Sequence, residues 1–142
     1  HEKMPLLIDD SNIKIKSINK TILKRTLIKV IKYLKIEKKE INIVFLNDVN
    51  MKKLNKKYSG SNKSTDVLSF LIDGHDKSLL GDVFISIEYA RANCLVSKNS
   101  LIKEVKILCI HGILHLIGLD HKNEAEGKMM FKMQDELYEK FK

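Results

Sequence analysis

The chain has 142 residues, 44% of them hydrophobic, which is enough for one core of ordinary size but not two, so a single domain over residues 1–142 is expected. Its 26 Lys and Arg against 18 Asp and Glu leave a net charge of +8, an excess that favours polyanions such as nucleic acid or an acidic surface. No apolar run reaches the roughly 20 residues of a membrane span and no secretory signal is read, while Cys94 and Cys109, each in an apolar helical setting, read as buried thiols in a reducing compartment.

Residues 1–3 are expected to be a remnant of expression and are set aside. Residues 4–8 and 13–16 read as extended pieces around the turn residues Asp9, Asp10, Ser11 and Asn12. Ser17 is expected to cap a helix to about Lys35, with Ile22, Leu23, Leu27, Val30, Ile31 and Leu34 on one stripe. Residues 41–46, rich in β-branched side chains, predict a strand feeding a capped helix over 49–57, followed by a loop over 58–64. Two more strands, 67–72 and 83–87, flank an Asp-Gly turn, and three helices follow at about 88–97, 101–117 and 125–141. Strands early and helices late predict an α+β fold: a small mixed β-sheet packed against helices. The helix over 101–117 is apolar nearly all round and is expected to lie buried at the centre.

That helix carries the chemistry. In HGILHLIGLDH, His111 and His115 stand four residues apart and so project from one face of a helix, one turn from each other. A straight continuation would carry His121 about 9 Å further along the axis, out of reach of a shared zinc with bonds of about 2.0 to 2.1 Å. Gly118 supplies the required stop, because a residue without Cβ takes the left-handed conformation that turns the chain back. Three neutral imidazoles then hold one zinc and leave a fourth position open to water, as in catalytic sites; nickel or iron also suits such a donor set.

The spacing His111, His115, Gly118, His121 is similar to the zinc helix and turn of metzincin metalloproteases. There, a glutamate acting as general base follows the first histidine. Here that place is Gly112, so a metallopeptidase reading lacks its base. The whole motif more closely resembles the YbeY family of bacterial rRNA-maturation factors, described as single-strand-specific, metal-dependent endoribonucleases. STDVLSF (64–70), LGDVFIS (80–86) and the acidic, Met-containing last helix from Glu124 look like that family's pattern in the same order, over roughly residues 41–141. The resemblance implies an α+β fold, one zinc on His111, His115 and His121, and a cytoplasmic location. It also implies single-stranded RNA as substrate, from the precursor of 16S rRNA, with partners among small-subunit ribosomal proteins and assembly GTPases. Family members often carry an arginine after the tyrosine that precedes TDVLSF, whereas Tyr58 is followed by Ser59. Lys56, Lys57 or Lys63 would then hold a phosphate as point charges, or merely solvate the loop.

The expected catalytic set is His115, Glu104 and Asp120. Glu104 lies two helical turns before His111 on the same face, where it would accept a hydrogen bond or a proton, or be a surface carboxylate. Asp120 either orients an imidazole or caps the turn. Thr65 and Asp66 open a strand and either close the cleft or cap the strand, while Met129, Met130 and Met133 read as core. The nucleophile is either an acidified water or the RNA's own 2′-hydroxyl. A second reading makes the chain a ribosome-assembly factor whose metal is mainly structural and whose basic face docks on rRNA or protein.

Overall fold

The computed structural model describes residues 5–60, 65–72 and 78–142, the side chain of Ser59 excepted. Along the chain run β1 (Leu6–Asp9), α1 (Lys20–Tyr33), β2 (Glu40–Leu46), α2 (Asp48–Ser59), β3 (Val67–Leu71), β4 (Leu79–Ser86), α3 (Ile87–Ser97), α4 (Leu101–Leu116) and α5 (Glu124–Phe141). The sheet order is β1-β2-β4-β3. β1, β2 and β4 are parallel and β3 is antiparallel to β4, which makes the sheet mixed and the fold α+β.

Strand alternation sets the two faces. Ile41, Ile43 and Phe45 of β2, Val83 and Ile85 of β4 and Leu6 of β1 are fully or nearly fully buried and form one face with α1 and α4 against it. α2 covers part of the other face, where Met51 is fully buried and the Tyr58 ring sits 4.6 Å from Phe70, itself 5.8 Å from Phe84. α4 is the central element: Val105, Cys109, Ile110, Ile113 and Leu114 are fully buried, between the sheet on one side and α1, α3 and α5 on the others.

Several boundaries differ from expectation for local reasons. Residues 13–16 form no strand; Ile15 and Ile18 anchor a coil by burial instead. Asn19 rather than Ser17 caps α1, its Oδ1 accepting from the Thr21 and Ile22 amides at 3.0 and 3.2 Å. α2 runs on through Tyr58, whose ring is held by Phe70, and ends at Gly60 in the left-handed region (φ 74°). β4 starts four residues early, because Leu79, Gly81 and Asp82 pair with β2. Gly81 is required there: a Cβ would lie 2.5 Å from the Phe70 carbonyl oxygen and 2.7 Å from Leu116 Cδ2. The β4 strand stops at Ser86, whose Oγ accepts from the Tyr89 amide and starts α3 at Ile87. Met130 is buried and Met133 partly so, but Met129 is 64% exposed and is not core. Cys109 is buried and Cys94 only partly. Met4, Lys63, Ser64 and the Asp73-Gly74 turn lie outside the described residues.

Candidate metal centre

The C-terminal half of α4 presents His111 and His115 side by side, ring centroids 4.8 Å apart. The helix then closes through paired reverse bonds, Gly118 N–H to the His115 carbonyl at 3.0 Å and Leu119 N–H to the Leu114 carbonyl at 3.1 Å, with Gly118 at φ 100°. This turn returns the chain so that the His121 ring lies 5.3 Å from His115 and 6.0 Å from His111. The three ligand nitrogens all lie within 4.8 Å of one another. Three donors of a tetrahedral ion with 2.1 Å bonds stand about 3.4 Å apart, so small ring rotations suit this cluster to one ion.

The electrostatics favour the unprotonated donors that a metal needs. Burial pushes the His111 imidazole below its ordinary range, opposed by a hydrogen bond to Gln134 and the Asp66 carboxylate. Burial likewise lowers His115, helped by repulsion from His111 and His121. His111 Nδ1 is 2.7 Å from Oε1 of Gln134; with Nδ1–H donating to that oxygen, Nε2 keeps its lone pair for a metal. The His121 side chain is 54% exposed, so the cluster opens to solvent on one side. Ligand type, proximity, tautomer control and an open side all fit a bound metal ion.

A cavity of about 410 Å³ spreads from the histidines, lined among others by Thr65, Asp66, Asn93, Glu104, Phe131 and Gln134. Glu104 is buried, and its Oε1 accepts from Ser97 Oγ at 2.6 Å and Asn99 Nδ2 at 2.9 Å. Asp120 does not line this cavity; its Oδ1 accepts the backbone N–H of His121 at 2.7 Å and stands 3.8 Å from His121 Nδ1, longer than a hydrogen bond. Lys56 and Lys57 are in the last turn of α2, outside the cavity, with Lys57 Nζ 5.4 Å from the Tyr58 ring centre. Lys63 lies outside the described residues.

Gln134, Asn93 and Phe131 line the site and were not singled out from sequence. Gln134 left a signal: Met130, Gln134 and Leu137 form a buried i, i+4, i+7 stripe, and a polar residue on such a stripe needs a partner. Gly112, where metzincins place glutamate, turns toward the sheet. A Cβ there would lie 2.3 Å from Val83 Cγ1, and the Gly112 carbonyl accepts from Ser69 Oγ at 2.9 Å. The glycine is therefore the contact that lets α4 lie close on β3 and β4.

Fold and site together define an α+β domain with a cluster of three histidines, able to hold a metal ion, at the end of its buried helix. A family model described as Endoribonuclease YbeY matches residues 7–142, and the chain belongs to that family. A relative from Sulfurihydrogenibium sp., named Endoribonuclease YbeY, is 41% identical over 129 residues, covering 88% of this chain and 85% of its own. One of the same name from Oenococcus oeni is 29% identical over 94% of both chains. A solution structure of a Thermotoga maritima protein superposes with a TM-score of 0.64 at 26% identity, covering 96% of this chain and 87% of that one. Among the described residues, no helix is long and apolar enough to cross a membrane.

Proposed function

We propose that this chain is a single-domain, zinc-dependent endoribonuclease that cuts single-stranded RNA during maturation of small-subunit rRNA. It would work in the cytoplasm with a small-subunit ribosomal protein and an assembly GTPase. The observation that carries the reading is the cluster of three imidazole donors within 4.8 Å, opening on a cavity lined by two carboxylates, in a chain whose relatives are named endoribonucleases.

His111, His115 and His121 would hold the ion. When bound, zinc supplies Lewis-acid chemistry to a phosphodiester and acidifies water towards a pKa of about 7; nickel or iron would fit the same donors. Gln134 fixes the His111 tautomer, and buried α4 fixes both helical imidazoles. Glu104 Oε2 has no hydrogen-bond partner among the described residues, and Asp66 also faces the cavity. These two carboxylates are the proton acceptors we assign, Glu104 first because Ser97 and Asn99 hold it in place. Asp120 supports His121 by fixing the turn that carries it. Lys56, Lys57 and Lys63 would contact flanking phosphates as point charges.

The test is incubation of zinc-loaded protein and His115→Ala with a labelled single-stranded RNA and its duplex. Cleavage confined to the single strand and lost in the variant is expected. Equal cutting of the duplex, or wild-type cutting by His115→Ala, would overturn the reading. The product ends identify the nucleophile, since a 2′,3′-cyclic phosphate excludes direct attack by water.

A further inference from the structure

Phe131 is out of place as a packing residue. It lines the histidine cavity, yet it is 52% exposed, whereas the other apolar residues lining that cavity, Val67, Ile107 and Leu108, are buried or half-buried. Its neighbour Met130 is the one that enters the core, at 0% exposure. The Phe131 ring lies beside the metal donors instead, 5.8 Å from the His111 ring and tilted 31° to it. A flat apolar ring is thus left open to solvent at the wall of a cleft. The groups in an RNA strand that match it are the bases, each with a flat π-face.

We propose that Phe131 is a stacking platform for a nucleobase adjoining the scissile phosphodiester, and that this stack selects single strands. The proposal rests on the nuclease reading above. A base inside a duplex has both faces covered by its neighbours and cannot lie on the ring; a base in a single strand can splay out and do so. Phe131 touches neither the ion nor the proton being moved in this scheme, so it is a specificity residue. Its contribution lies in substrate binding.

The experiment measures equilibrium binding of a 2′-O-methyl single-stranded oligonucleotide, which offers no 2′-hydroxyl nucleophile, and of its duplex to zinc-loaded wild type and three variants. Phe131→Ala is expected to weaken single-strand binding between about fivefold and 150-fold, the range of one base–aromatic stack. Phe131→Trp retains a π-face and stays within about twofold of wild type, while Phe131→Leu covers His111 with similar bulk and behaves like Ala. Duplex binding and zinc affinity, read by competitive titration, stay unchanged in all three. Wild-type binding by Phe131→Leu or Phe131→Ala would overturn the proposal alone, and so would equal losses for duplex and single strand. Loss of zinc by Phe131→Ala would assign the ring to the metal site and also overturn it. Failure of the wild type to bind single strands would overturn both this inference and the nuclease reading.

Discussion

Replacing Gly112 with alanine adds one methyl group at the tightest contact between α4 and the sheet. Its Cβ would stand 2.3 Å from Val83 Cγ1, 3.1 Å from Ser69 Oγ and 3.2 Å from Val67 Cγ2. Carbon atoms in contact rest at about 3.5–4.0 Å, so the Val83 overlap alone exceeds 1 Å, and Val83 is fully buried with nowhere to swing. Overpacking of this kind costs about 1–3 kcal/mol. Alanine recovers up to about 1 kcal/mol in a helix interior by its better propensity. With a backbone shift forced by so short a contact, the net expected loss is about 1–2 kcal/mol, or about 3–8 °C in Tm. Denaturant unfolding of the metal-free protein measures it. Val83→Ala removes the opposing methyl, so the double variant should be more stable than the sum of the singles by at least about 0.5 kcal/mol. A Gly112→Ala protein as stable as wild type, or strict additivity with Val83→Ala, would refute the close-packing role.

Gln134→Met keeps the volume of a buried side chain but removes the acceptor for His111 Nδ1, so zinc affinity should fall about 10- to 100-fold with the fold retained. Gln134→Glu keeps an acceptor and should restore most of it; equal affinity in all three proteins would remove Gln134 from the site. The lowered pKa of His111 and His115 sets the sign of a pH effect. Below about pH 6.5 unfolded imidazoles take up protons that the folded ones refuse, so the unfolded state binds more protons. The metal-free protein should therefore lose stability as pH falls from 7.5 to 5.5. His111→Gln with His115→Asn should flatten that slope, and an unchanged slope would contradict the assignment. Burial pushes the Cys109 thiol well above its ordinary range while Cys94 is partly exposed, so a disulfide reagent should titrate one thiol quickly and the second only on unfolding.

The parts of this fold written in local pattern were legible in the chain: the apolar stripe of α1, the alternation of β2, and the imidazole spacing with its glycine stop. α4 agrees with its expected span to within a residue: Gly118, the stop expected from sequence, closes it, and the structure adds Ser100 as the cap at its start. Less legible was whatever depends on partners distant in sequence. Tyr58 belongs to a helix because Phe70 holds it, and the start of β4 is set by pairing with β2. Gly60 marks the end of that helix locally, but nothing local announces the start of β4. The site divides the same way. The three histidines lie within eleven residues of sequence, whereas Gln134, Asn93 and Phe131 reach the cavity only through the packing of α5 and α3 on α4. Gly112 illustrates the converse: its meaning came from sequence as a missing base, and from structure as a contact with Val83.

The most direct test of the three-histidine centre is to titrate zinc into metal-free protein while following cleavage of a single-stranded RNA. Activity should rise from background to a plateau at one equivalent of zinc and stay at background throughout for His115→Ala. Full cleavage by the metal-free protein, or a zinc response that survives His115→Ala, would contradict the assignment.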